Sequence, residues 1–447
     1  MGWDRDRAHG MIERLLSLAG SGDWQVELTA RTSSYTRFAR SEITTSGLAD
    51  DAGLVVTAGR EGRSGTVGTN DLSDDGLKAA IARAAGMRDL LPVDPEWVEP
   101  LPPQTYPALG KYDDETARAR AAERAPGIRS ILALARRRKL VAAGFYETGA
   151  THRAVGNSVG NFGYHPATDT ELSVTMRTSS GTGSGWASGY SPRFSEVDAK
   201  SLARRAAEKG IASVSPRDVP PGDYTVVLEP AAVAALLMTL QFGALSRRAA
   251  DEGRSVFSKP GGGSRVGEKV AHESVTLRSD PFDPRLPATP WSAGGGPGGG
   301  STDGLPNRKV TWIDRGVLKA LYADRYWARV TGVEPTPAPG SLVLDGGTRS
   351  LDDLIASTGH GLLVTRFWYI RTVNPQTAQL TGLTRDGLFL IENGTIAGPA
   401  TNLRFNESPV VMLQNAEGMT PAVPAGRMVV PAIKSREFTF TSKSDAV

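Results

Sequence analysis

The chain has 447 residues, 39% hydrophobic and 22% charged, the make-up of a globular protein with enough apolar material for two or three domains. Lysine and arginine total 51 against 48 for aspartate and glutamate, a net +3 too small and too evenly spread to point to nucleic acid or an anionic membrane as partner. There is no cysteine, which excludes disulfides, thiolate metal sites and cysteine nucleophiles together.

Asp4, Arg5, Asp6 and Arg7 have no apolar run behind them, so no secretory leader is expected. The longest uncharged apolar stretch, 231–246, falls short of the roughly 20 residues a membrane span needs, and the expectation is a cytoplasmic protein with no membrane partner. Residues 7–20 have amphipathic helical spacing with Met11, Ile12, Leu15, Leu16 and Leu18 inward. Two strand-like runs follow, 25–31 and 54–58, with 35–43 between them, then a hairpin turn at Glu61-Gly62-Arg63 into a strand at 64–68, then helical spacing over 74–90. The proline-rich stretch 92–107 is a surface connector. Helix is expected over 113–125, stopped by Pro126-Gly127. Strands at 140–148 and 171–178 flank a glycine-rich turn, and Ser195 is placed to cap a helix running to Gly210. Pro220-Pro221-Gly222 marks a boundary. The expected class is α+β, an N-terminal α/β domain over 1–218 and a strand-rich C-terminal domain over 219–447.

The second half opens with a strand at 224–228 and a helix over 230–250, with Pro230 in its first turn and Gly253 just past its end. Residues 268–277 read as strand, and 293–300 (AGGGPGGG) as a flexible loop. Ser350 caps a short helix, and strands are expected at 362–370, 387–392, 410–413 and 428–433.

Four patterns could carry chemistry. A helical zinc peptidase needs paired histidines with a glutamate beside the first. The five histidines here, His9, His152, His165, His272 and His360, include no two at that spacing; His272-Glu273 begins like the motif, but Thr276 and Leu277 stand where a second histidine belongs. Gly156-Asn157-Ser158-Val159-Gly160 matches a nucleophile elbow in letters, yet no helix follows, so a hairpin is the better reading. The glycines of 181–185 and 294–300 lack a strand before and a helix after, which argues against a nucleotide loop. Finally, strand alternation through Arg366-Phe367-Trp368-Tyr369-Ile370-Arg371 would put Phe367, Tyr369 and Arg371 on one face and Arg366, Trp368 and Ile370 on the other. That segment is either a core strand with snorkelling arginines or the wall of a groove for an extended peptide.

An ordered series of short segments resembles a known family. From the N-terminus these are Thr36-Arg37-Phe38-Ala39 with Glu42-Ile43, then Asn157-Ser158-Val159-Gly160, then Gly316-Val317-Leu318-Lys319 with Tyr322-Ala323-Asp324-Arg325. The C-terminal series runs from Ser350-Leu351-Asp352-Asp353-Leu354 through Gly359-His360-Gly361, Thr381-Gly382 and Asp386-Gly387-Leu388-Phe389 to Ile391-Glu392-Asn393-Gly394. Together they resemble the TldD/TldE (PmbA) metallopeptidase family. In that family the TldD-type subunit carries His-Glu-x-x-x-His on the helix after a mid-chain strand, here Val226-Val227-Leu228, and a C-terminal cysteine as third ligand. Met238, Thr239, Gly243 and Thr420 stand at those positions here, to within a residue, so the chain is most similar to the metal-ligand-free TldE (PmbA) type, whose Ser-x-Phe segment Ser255-Val256-Phe257 matches. The resemblance implies no catalytic or metal-binding residue and no cofactor in this chain. It also implies zinc in a TldD-like partner bearing His-Glu-x-x-x-His, a heterodimer (or a homodimer if no such partner exists), and small or unfolded peptides as substrate. The rival readings are a metal-independent enzyme tailoring a peptide-like metabolite, and a peptide-binding module without catalysis.

Overall fold

Alternation of apolar and polar residues over long runs builds the first half. In the computed structural model, which describes residues 2–292 and 302–444, the glycine run at 293–300 lies outside the described residues. Helix α1 (Arg5–Ala19) leads into β1 (Asp23–Ala39), β2 (Glu42–Arg60) and β3 (Arg63–Thr69), followed by α2 (Asp74–Leu90), α3 (Asp114–Arg118) and α4 (Ala121–Arg137). Then come β4 (Leu140–Asn157), β5 (Phe162–Thr178), β6 (Ser184–Ser191) and α5 (Ala199–Ala212). The six strands form one antiparallel sheet in the order β3-β2-β1-β4-β5-β6. One face is apolar: Val26, Leu28, Leu54, Val56, Leu172, Val174 and Met176 are buried beneath α1, α2, α4 and α5. The opposite face carries the intervening residues and turns toward the C-terminal half.

Several expectations are corrected. The run at 25–31 and residues 35–39 are parts of the single 17-residue β1, 42–43 already belong to the 19-residue β2, and 54–58 lies near the end of β2. Polar Thr32, Ser33 and Ser34 hide that continuity, although Ser34 and Thr36 face the helices and hydrogen-bond the buried Arg124 guanidinium. The β1–β2 turn uses Arg40 and Ser41 at φ 52° and 59°, with no glycine to announce it. Similarly, 140–148 and 171–178 are fragments of the longer β4 and β5. The helix expected over 113–125 is two helices, and Pro126 lies inside the second; the apolar face of Ile128, Ile131, Leu132 and Ala135 offsets the one hydrogen bond the proline removes. Asp198, not Ser195, caps α5, accepting from Lys200 N and Ser201 N. Leu18 at the end of α1 is 39% exposed rather than inward.

In the second half β7 (Gly222–Leu228) lies between His360–Val364, its parallel neighbour, and Ile433–Lys443, its antiparallel one, in a nine-stranded sheet. A six-stranded sheet of shorter strands includes Leu277–Ser279, Leu342–Leu344 and the hairpin Val423–Ala425/Met428–Val430. Helix α6 (Pro230–Thr239) buries Ala232, Val233, Leu236 and Leu237 in a core shared by both sheets. It is not the continuous helix expected over 230–250: a π turn (Leu240–Ala244) follows, and a separate short helix starts at Arg247, capped by Ser246. Of 268–277 only Leu277 is strand. The strand expected over 362–370 breaks at Thr365-Arg366. Residues 410–413 are helix, within Pro409–Gln414, because Pro409 at the first position presets helical φ. The strand expected over 428–433 is one complete short strand, Met428–Val430, and the first residue of another, Ile433. The α+β class stands, with a helix-backed N-terminal sheet and strand-rich sheets after it.

Candidate functional site

The outward face of the N-terminal sheet and the exposed side of α6 enclose a cavity of about 690 Å³. The register explains which residues reach it. Arg31 pairs across β1–β4 with Thr151, and Arg153 across β4–β5 with His165; Ala167, Asp169 and Glu171 follow at alternate positions of β5, and Trp186, Ser188 and Tyr190 at those of β6. From the other half come Ala231, Ala234, Ala235 and Met238, whose helical spacing puts them on the side of α6 opposite its buried leucines, and Gln241 from the π turn that follows. Residues 287–289, 338–341 and 425–428 close the rim.

Charge is unevenly compensated there. Arg31 lies across Gly149, where a Cβ would sit 2.5 Å from its Nη2, and grips Asp169 with both nitrogens at 2.5 and 2.9 Å and Glu147 at 2.9 Å. Arg153 has no hydrogen bond or ion pair with any described residue; burial, then the positive charges of Arg31 and Arg427, depress its pKa against the opposing pull of Glu27. Arg427 is also unpaired among the described residues. It sits with Gly426 (φ 58°) in the two-residue turn of the Val423–Ala425/Met428–Val430 hairpin, its guanidinium carbon 5.6 Å from the centre of the Tyr190 ring. His165 is 5% exposed, and its Nε2 has no partner. Burial, chiefly, with Arg153 and Lys111 adding to it, pushes the ring down to about 4, so it is neutral at physiological pH. On β1 just beyond, burial raises Glu27 to about 7 even though it accepts from Thr302 N at 2.6 Å.

The residues that stand at the family's metal positions are not gathered into a site. Met238 lines the cavity and is 49% exposed. The Thr239 hydroxyl donates back to Leu236 O at 2.7 Å, Gly243 lies in the π turn, and Thr420 Oγ1 is occupied by Ala432 N and Pro421 O away from the cavity. Histidines five apart on an α-helix would point about 140° away from each other. A π turn narrows that angle, and the turn is present here without the ligands. The cavity side of α6 and the π turn offer alanines, a thioether and one amide, a donor set that does not fit zinc. Among the described residues no group of three or more histidine, cysteine, aspartate or glutamate side chains could hold a metal ion.

The aromatic-basic segment also departs from simple alternation. Phe367 is buried against Phe405 and Phe438, whereas Trp368 and Tyr369 are 43% and 59% exposed and Arg371 lies over Tyr369. A register shift between Trp368 and Arg371, with Tyr369 at φ 55°, removes the expected face of Phe367, Tyr369 and Arg371. None of these residues lines the cavity, but Arg366 supports its wall: it stacks 4.1 Å from the Trp186 ring centre and pairs at 2.9 Å with Asp386, which also accepts from Ser184 Oγ at 2.6 Å. Sequence reasoning missed Arg31, Arg153, His165, Asp169, Tyr190 and Arg427. Charged side chains spaced two apart in otherwise ordinary strands were the signal available.

Comparison with known proteins finds matches over most of the chain. Residues 24–88, 102–214 and 221–442 match, respectively, the sequence models of PmbA/TldA metallopeptidase domain 1, central domain and C-terminal domain. No curated protein sequence matches. Among solved structures, TldE from Thermococcus kodakarensis is similar with a TM-score of 0.84 and 22% identity over 96% of this chain and 100% of that one. A putative modulator of a DNA gyrase from Thermotoga maritima has a TM-score of 0.84 and 16% identity, covering 97% of this chain and 100% of its own. A putative modulator of DNA gyrase from Bacteroides thetaiotaomicron has 0.83 and 22%, covering 98% and 99%. At such identities the structures speak for the fold, and the sequence models carry the assignment: the chain belongs to the PmbA/TldD metallopeptidase family.

Proposed function

We propose that this chain is the metal-ligand-free, TldE-like subunit of a two-chain metallopeptidase, and that it shapes the approach of small or unfolded peptides to zinc held by a TldD-like partner. The observation that carries the reading is the cavity side of α6 and the π turn, where Ala234, Ala235, Met238 and Gln241 replace any ligand set in a family named for metallopeptidase activity. A sheet face and a helix enclosing about 690 Å³ suit an extended peptide, whose main chain gives sequence-tolerant affinity. Co-expression with a chain bearing His-Glu-x-x-x-His should give a stable complex with chelator-sensitive peptidase activity, while this chain alone is inactive. Chelator-resistant hydrolysis by this chain alone would promote the metal-independent enzyme instead.

A further inference from the structure

From the geometry of the cavity we infer that this chain itself binds the carboxylate end of an extended peptide, with Arg153 and Arg427 as the anion grip and His165 meeting the adjacent amide. The inference rests on the reading that the complex handles peptides.

Three observations converge on one end of the cavity. Arg31 is matched by Asp169 and Glu147, so its charge is spoken for. Neither Arg153 nor Arg427 makes a salt bridge with a described carboxylate, although Glu27 and Asp169 attract Arg153 from farther off, and both arginines line the same cavity, one from the sheet and one from the opposing hairpin turn. They stand close enough for each to feel the other's charge, an unfavourable arrangement that an anion between them relieves. Beside Arg153 on the paired strand, His165 leaves Nε2 buried without a partner. The neutral ring already hydrogen-bonds the Ala288 backbone, and its free Nε2 suits an amide better than a second charge. The last residue of a peptide presents a carboxylate and an amide N–H within a few ångströms of one another. The lining that α6 contributes, Ala231, Ala234, Ala235 and Met238, is small or flexible and apolar.

The test uses the purified chain alone and titrates N-acetyl-tetraalanine with a free C-terminus, the same peptide as its C-terminal amide, and inorganic phosphate. The free acid should bind on the order of tenfold more tightly than the amide, the worth of a charge-assisted contact. Arg153→Gln and, separately, Arg427→Gln should bring the acid close to the amide's affinity, weakening the acid several-fold more than the amide. Arg427 lies on an exposed turn, so its variant keeps the test readable if Arg153→Gln misfolds, and Arg153→Lys should restore part of the preference. Equal affinity for acid and amide, no binding of either, or an acid preference that survives both substitutions overturns the inference. Phosphate competing as well as the peptide acid also overturns it, reassigning the site to free anions. Because no partner is present, failure here leaves the two-chain peptidase standing, and acid preference without any partner-dependent peptidase activity would do the reverse.

Discussion

The two faces of the N-terminal sheet are made from the same strands and have opposite characters. Under the helices, alternate residues are apolar and close-packed, and even Arg124, 0% exposed, is held there by the hydroxyls of Ser34, Thr36 and Thr148. On the cavity face the alternate residues are charged or polar, and Arg153 and His165 are left incompletely partnered. The pleat thus lets one set of residues stabilise the fold and the interleaved set serve a ligand, with little cross-talk.

Substitutions should separate the two faces. Leu172→Ala, fully buried beneath the helices, should cost about 2–5 kcal/mol in denaturant unfolding and leave the affinity of any bound peptide unchanged. A change in affinity larger than the change in stability would mean that the faces are coupled.

The cavity face should instead show itself through pH. His165 titrates near 4 when folded against 6.5 in the unfolded chain, so between those values the unfolded state binds more protons and stability falls as pH falls. His165→Gln should abolish that slope, worth about 2–3 kcal/mol across the window. Glu27 has the opposite sign: raised from 4.5 to about 7, its contribution is fully present below 4.5 and lost as pH rises through 7. Glu27→Gln should therefore gain on the wild type by about 1 kcal/mol at alkaline pH, a figure reduced for its partial exposure. Melting curves from pH 4 to 8 that superimpose for wild type and both variants would contradict these environments. The smallest effect belongs to Met238→Ala, whose half-exposed side chain should change stability by less than about 0.5 kcal/mol.

Much of this was legible in the sequence, and the failures have physical causes. Residues 74–90 and the cap at Ser350 were readable because capping and periodicity agree locally. The Gly156–Gly160 segment was readable as a hairpin because no helix signal follows it. β1 was read in pieces because hydroxyl residues on its buried face meet a buried arginine that arrives from α4, 88 residues or more along the chain. Residues 410–413 look like strand in isolation, and the preceding proline and tertiary packing make them helix. That the chain has no cysteine and no two histidines at the spacing of a helical zinc motif was plain from composition and spacing alone. The cavity was not, since Arg31, Arg153, His165 and Arg427 meet only through strand register and the docking of a distant hairpin.

The central claim is that the chemistry of this family's metal is not carried by this chain's residues. Elemental analysis after dialysis tests it most directly, on the chain alone and on its complex with a His-Glu-x-x-x-His partner. The account predicts well under one zinc per molecule for the chain alone and about one per complex. One tightly held zinc per chain in the isolated protein would contradict it.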